Sequence, residues 1–415
     1  MQTDDKLLLR SLWAVALASF VLKVALAFYA GAWNSAQEFE YSDIARNLLA
    51  GKGYVYHDLG VEYKVFGFPL YPLLLWLLLT VFGAGAWPAQ IVEMLASSAA
   101  GVLAGQITSI LAPRRRLVAV AAAVLAAFHP GVGYYSIFKV HELPLVFFWS
   151  LWAVLAAVKL AENPGIGKAA WFGMVLGTGF LLRPTLVLAG PAAFVTAILV
   201  MKRNARKYIP LFALAAAVSA SVALPWWVRN YQATGRIILI STTSWSTLWS
   251  GFNPHATGTN YTEDGRPQLS ASPDVLQESS HLSDTGQNDY FKDLVSGYVR
   301  QDPGRIVTLF IKKCEYFWWF TPTQGKEYRQ IYLYIYAIYY LALIGGLLFL
   351  PARFGKMPET ARFIAWTALV FLVLVMAVHA ASYVEGRHRW GVEGLIICLS
   401  LTGYAGIFGK RNTGK

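Results

Sequence analysis

Three carboxylates crowd one short stretch, SAQEFEYSDIARNLLAGKGY at residues 35–54, directly after the first long apolar run: Glu38, Glu40 and Asp43. In YYSIFKVHELPLVFFW, His141-Glu142 precede another apolar run. Cations take comparable places. Lys64 precedes an apolar segment, Arg183 lies at an Arg-Pro break, Arg229 follows LPWW, and Arg387-His388-Arg389 separate two late apolar segments. A carboxylate can take the proton of an attacking hydroxyl, while guanidinium and ammonium groups hold a phosphate and stabilise it as it departs.

The acids are not equivalent. Tyr41, Ile44, Ala45 and Leu48 form an apolar stripe at i, i+3, i+4, i+7 spacing, which predicts a helix lying on a membrane surface and ended by Gly51 and Gly53. Ser35 and Glu38 fit a capping box at its start. Asp43 points away from the stripe beside Arg46, towards solvent. Glu40 stands on the flank, where a carboxylate can face a cleft. Glu142 opens a helix, where the macrodipole favours an acid by itself; on the same face as another acid it is also a candidate site residue. Each cation alone could be a snorkelling anchor. Four outward cation sites against the usual charge asymmetry are better explained by an anionic ligand.

These residues must be positioned by helices. The 415-residue chain is 56% hydrophobic and only 14% charged, against roughly 25% charged in soluble domains. Apolar stretches long enough to cross a bilayer recur at 11–31, 86–112, 117–135, 142–160, 168–183, 185–202, 208–228, 329–350, 360–381 and 389–408. The fold class is therefore all-α and polytopic, since lipid leaves only helices or closed barrels and these runs are too long for barrel strands. Basic residues cluster in short turns: Arg114–Arg116, then Lys202, Arg203, Arg206 and Lys207, then Arg353 and Lys356, then Lys410, Arg411 and Lys415. Placing these turns in the cytoplasm makes 69–83 a re-entrant or interfacial helix. It makes 304–320, with Lys312 and Lys313 at its middle, an interfacial one. Ten spans and cytoplasmic termini follow. Loop 32–85, the His141-Glu142 turn, the polar segment 229–303 and YVEGRHRW at 383–390 then share the outer face. Residues 1–228 form an N-terminal transmembrane module, 229–328 an outer loop with its interfacial helix, and 329–415 the C-terminal helices. The 229–303 segment should pack on the bundle. The net charge of +12 reflects the basic turns, so no nucleic-acid partner is expected. The N-terminal run is longer than a signal-peptide core and reads as an uncleaved first span. Cys314 and Cys398 are too few for a disulfide framework.

Several motifs, in order along the chain, resemble the GT-C fold glycosyltransferases of the protein O-mannosyltransferase and aminoarabinose-transferase type. They are FEYSDIARNLLAGKGY, FPLYPLLLWLLLTVFGAG, GTGFLLRPTLVL, PWWVRNYQATGRIILIST and LWSGFNPHATGTNY. The resemblance implies a GT-C-like bundle that transfers sugar from a polyprenyl-phosphate donor on the outer, periplasmic side of a bacterial inner membrane. It implies Glu40 as base or acceptor-orienting group and Glu142 as an auxiliary carboxylate. Lys64, with Arg387 or Arg389, would contact the lipid phosphate, joined by Arg183 and Arg229. Tyr41, His141, Asn253 and His388 are candidates for lining the cavity or touching the acceptor. The chain departs from the family where Gln37-Glu38 stand in place of Asp-Glu and Gly391 in place of a proline, so Glu38 stays beside Glu40 as a candidate base. No metal or other cofactor is expected, because the acids are not at ligand spacing. The partners are membrane lipid, the donor, and an acceptor that could be lipid, polysaccharide or protein. A lipid-phosphate flippase or transporter is the main rival, a non-catalytic scaffold the second.

Overall fold

The computed structural model describes residues 3–201, 205–320 and 330–407. Lys202, Arg203, Lys410, Arg411 and Lys415 lie outside the described residues.

The chain opens with α1 (Thr3–Tyr29), a single long apolar helix. A surface helix α2 (Glu40–Leu49), a hairpin of β1 (Tyr56–Asp58) and β2 (Val61–Tyr63), and α3 (Leu70–Phe82) make up the long connection from α1 to the bundle. The hairpin pairs Tyr56 with Tyr63 and turns at Leu59-Gly60, both at positive φ, as a two-residue hairpin turn requires. At 13 residues, α3 reaches about 20 Å, short of a bilayer core of about 30 Å.

The bundle follows as α4 (Trp87–Leu111), α5 (Arg116–Ala127), α6 (Pro130–Phe138), α7 (Leu143–Glu162), α8 (Ile166–Leu182), a 3-10 turn (Pro184–Leu188), α9 (Ala189–Val200) and α10 (Ala205–Thr234). Helices α11 (Ser244–Phe252), α12 (Pro273–Ser279), α13 (Asp284–Gln301) and α14 (Pro303–Trp318) build a second, largely polar region. The chain then returns through α15 (Gln330–Phe349), α16 (Pro351–Phe354), α17 (Glu359–Ala380), α18 (Gly386–Trp390) and α19 (Glu393–Ile407). Among the described residues, six helical stretches are long and apolar enough to cross a membrane, and five apolar helices are shorter, α3 among them. The protein is an all-α polytopic membrane protein.

Small residues set the packing. A Cβ on Gly105 would meet Leu12 of α1 at 2.4 Å, and one on Gly101 would meet the Ala123 carbonyl of α5 at 2.7 Å. Gly173 and Gly177 let α8 approach α10 in the same way. Without a hydrophobic force between helices in lipid, such close approach supplies the contact.

The expected 117–135 span is present as the stretch Arg116–Phe138, interrupted at His129 because Pro130 brings no N–H and keeps that residue out of helical geometry; His129 Nδ1 accepts from Val132 N–H at 3.1 Å and caps α6. Two sequence expectations need correction. The 208–228 span runs on to Thr234, carrying Pro225 and Arg229 inside α10. No capping box starts α2: its N-cap is Phe39, and Ser35 Oγ donates to the Gly31 carbonyl.

The four predicted outer features do meet at one end of the bundle. Gln37 pairs with the strand-like segment at Lys139: its N–H donates to Phe138 O and its carbonyl accepts from Val140 N–H. Lys64 N–H donates to Asp284 Oδ2 at 3.0 Å, and Tyr63 hydroxyl bonds Gln287. Thr242 N–H donates to Val65 O, and Val384 N–H to Gly258 O. The 229–303 segment thus packs on the first loop and the bundle. Arg116 lies at the other end, donating to Ser11 Oγ near the start of α1.

Candidate active site

Helix α2 presents its acids in three directions. Tyr41, Ile44 and Ala45 are buried beneath it. Gly67, at positive φ, lies so close to the Tyr41 ring that a Cβ there would clash. Asp43 is exposed and pairs with Arg46 at 3.0 Å. Glu38 also pairs with Arg46, and with Ser42 it borders a narrow cleft against α3 and α4. Glu40, the first residue of α2, is half-buried and faces the bundle. Burial pushes its carboxyl above the usual carboxylate range; nearby Glu142 and Asp58 push the same way, while its own backbone N–H and Arg387 oppose them.

Glu142 is the N-cap of α7. Its Oε1 lies 3.3 Å from Arg183 Nη1 and its Oε2 lies 3.0 Å from His141 Nδ1. Burial raises this carboxyl too, and Arg183 counters it first. Arg387 Nε pairs with Glu385 at 2.8 Å. Although burial disfavours the cation, Glu385, Tyr135 and Tyr383 hold Arg387 charged. His141 and His388 are driven neutral, first by burial and then by surrounding cations or imidazoles. His388 stacks on His379 with ring centroids 4.0 Å apart. Glu40, Glu142, Arg183, Arg387, His141 and His388 therefore form one electrostatic cluster.

The other predicted residues behave differently. Arg389 is 1% exposed and turns into the core. It donates to Phe317 O at 2.6 Å, Tyr336 hydroxyl at 2.8 Å and Glu393 at 3.2 Å, and stacks on Tyr340. Arg229 lies over the rings of Tyr54 and Trp226 and donates to the carbonyls of Tyr54 and Lys64, so it holds the Lys64 segment in place. Lys64 itself is half-exposed, with Glu62 4.0 Å away. Asn253 is buried in its own turn, where Oδ1 accepts from His255 N–H and Nδ2 donates to Gln268.

Sequence reasoning missed Glu93. It is fully buried in α4; Oε1 accepts from the Tyr71 hydroxyl and from the His141 N–H, the latter at 3.2 Å. A lone acid inside an apolar run was its signal. Among the described residues no group of three or more His, Cys, Asp or Glu side chains converges as a metal site.

An apolar cavity of about 580 Å³ separates α8 and α9 from α10. Gly190, Ala213, Ala216 and Ala220 keep it open, and Phe180 and Trp227 stand at its outer end, Trp227 two residues before Arg229.

The family model for dolichyl-phosphate-mannose-protein mannosyltransferase matches residues 68–228, fewer than half of the chain. An archaeal oligosaccharyltransferase from Archaeoglobus fulgidus, solved without ligand, superposes with a TM-score of 0.53 at 14% identity, over 96% of this chain and 51% of that one. The form named AglB, in complex with an inhibitory peptide and a dolichol-phosphate, gives 0.50 at 15% identity, over 96% and 50%. The chain shares their fold. That fold is of the GT-C type, and the chain spans about half the length of these archaeal structures. ArnT from Cupriavidus metallidurans bound to undecaprenyl phosphate aligns over 87% of this chain and 77% of that one, at 15% identity and a TM-score of 0.39. No curated protein matches the sequence.

Proposed function

We propose that this protein is a glycosyltransferase that moves a sugar from a polyprenyl-phosphate donor to an acceptor hydroxyl at the outer face of a bacterial inner membrane. The observation that carries the reading is the meeting of Glu40, Glu142, Arg183 and Arg387 at one end of a GT-C-type bundle. The matching family model and the archaeal neighbour solved with a dolichol-phosphate support it.

In this reading the acceptor oxygen attacks the anomeric carbon while the bond from that carbon to the phosphate oxygen breaks. The bonding pair leaves with the lipid phosphate, and configuration inverts in one displacement. Glu40 takes the acceptor proton; its raised pKa makes it a stronger base than an ordinary carboxylate. Arg387 and Lys64 stabilise the departing phosphate, and Glu142, held by Arg183, orients the acceptor. Arg389 and Arg229 act by holding neighbouring segments. The cavity between α8, α9 and α10 suits the prenyl chain, being apolar along its length and ending beside the Arg229–Lys64 contact.

The test is transfer from radiolabelled polyprenyl-phosphate sugars by the purified wild type, Glu40→Gln and Glu38→Gln, with lipid-phosphate binding measured alongside. Loss of transfer with retained binding only in Glu40→Gln supports the assignment. A dead Glu38→Gln moves the base to Glu38. Binding without transfer from any donor would make a transporter the better reading.

A further inference from the structure

A second cavity, about 290 Å³, lies between α1, α6 and α15, away from the groove at α8–α10. Its wall is apolar. Leu22 and Leu26, with 47% and 41% exposure, border it on the outer surface of α1, and Ile335 does so on α15. The mouth therefore opens sideways, where the bundle meets lipid.

The interior is not apolar. Lys23 lines the cavity while only 4% exposed. Its ammonium donates to Ser97 Oγ at 2.7 Å and Ser98 Oγ at 3.2 Å, both neutral. Among the described residues this amine has no other hydrogen-bond partner. Among the described residues no carboxylate lies within ion-pair distance of Lys23. The nearby Glu393 is already matched: Arg389 Nε lies 3.2 Å from its Oε2, Tyr336 hydroxyl donates to the same oxygen, and His129 Nε2 stands 3.5 Å from Oε1. The break before Pro130 adds the positive end of α6 to the cavity wall. The pocket thus combines a lipid-facing apolar entrance with a buried amine that has no carboxylate partner among the described residues. An ionisable group inside a membrane span marks a functional site by default.

We propose that this cavity binds a membrane amphiphile with an acidic headgroup, its apolar chain between α1 and α15 and its negative charge on Lys23. The site is separate from the sugar-transfer cluster and does not depend on that reading. Lys23 lies about 9 Å short of the α1 terminus, from the helical rise, so the headgroup is drawn below the end of the helix. A free anion would have no use for the apolar walls.

Purified full-length protein is equilibrated in detergent with phosphatidylglycerol or with phosphatidylcholine, and bound lipid is counted by native mass spectrometry. Wild type retains phosphatidylglycerol, and Lys23→Met loses it. Gly133→Leu loses it too: the nearest atom to a Cβ there is Lys23 Cε at 4.0 Å, so the larger side chain fills the cavity without touching backbone and leaves Lys23 in place. Lys23→Arg keeps the lipid. Equal retention by wild type and both lipid-loss variants overturns the proposal, as does equal retention of phosphatidylcholine by wild type. Displacement of phosphatidylglycerol by inorganic phosphate would overturn the lipid assignment. Since sugar transfer is not the readout, failure here leaves the transferase proposal standing.

Discussion

Arg183 Nη1 stands 3.3 Å from Glu142 Oε1, and both side chains are withdrawn from solvent, with 15% and 8% exposure. The pair joins the break after α8 to the N-cap of α7. Removing one member strands the other as a buried charge, which costs about 3–5 kcal/mol unless protonation relieves it. Arg183→Met should therefore lower the thermal stability of the purified protein more than Glu142→Gln, which leaves an amide able to face Arg183. The double variant Arg183→Met with Glu142→Leu should recover most of the loss. Equal melting of Arg183→Met and wild type would show that the pair does not hold these elements.

Glu40 gives a pH prediction. Its folded pKa is raised, chiefly by burial, and the basic form is the reactive one. Activity should therefore be present above that pKa and fall as pH drops through it, placing the acid limb of kcat/KM above the ordinary carboxylate range. Glu40→Gln should reduce kcat by about 10²–10⁴-fold, the usual worth of a general base, and abolish that limb. An acid limb retained in Glu40→Gln would assign it to another group.

Lys313 clamps the two segments that carry Gly251 and Ser382. Lys313, wholly buried in α14, donates to Gly251 O at 3.1 Å and Ser382 O at 2.6 Å, and lies over the Phe252 ring. A Cβ on Gly251 would fall 1.7 Å from the Ser382 carbonyl oxygen. Gly251→Ala should push the 251–258 loop off the segment carrying Glu385 and Arg387, lowering transfer and weakening lipid-phosphate binding together. Lys313→Met should cost about 1–3 kcal/mol, because it leaves the Gly251 and Ser382 carbonyls without their donor, read as a lower melting temperature. Full transfer by Gly251→Ala would show that the contact is dispensable.

Much of this was legible before any coordinates. Run length set α3 apart from the six stretches long enough to cross a membrane, but four of the ten expected spans, at 168–183, 185–202, 329–350 and 389–408, fall beside it among the shorter apolar helices; the Tyr41–Ile44–Ala45 stripe located α2. The capping box at Ser35 and Glu38 was not, because a local pattern cannot compete with Arg46, which claims Glu38 across one turn of α2. Arg387 and Arg389 are two residues apart with the same chemistry, yet α18 turns Arg389 towards Glu393 and Arg387 towards Glu385. Only the packing of α14 and α15 decides that. Glu93 and Lys23 lay in full view as charges inside apolar runs. What they touch depends on helix pairs distant in sequence, which composition does not reveal.

Lys64 and Arg229 make the sharpest contrast among the cations. The Lys64 side chain is half-exposed and, among the described residues, pairs only with Glu62, at 4.0 Å, so replacing it should change stability by no more than about 0.5 kcal/mol, as for most surface positions. Arg229 ties the Tyr54 and Lys64 carbonyls to α10 and stacks on two rings. Its loss frees the segment that presents Lys64. Lys64→Met should therefore raise the KM for the polyprenyl-phosphate donor with the melting temperature unchanged, whereas Arg229→Met should raise KM and lower the melting temperature together. Measuring both quantities on both variants separates a phosphate ligand from the residue that positions it. If Lys64→Met leaves KM at the wild-type value, the phosphate is held elsewhere, and Arg387 becomes the cation to replace next.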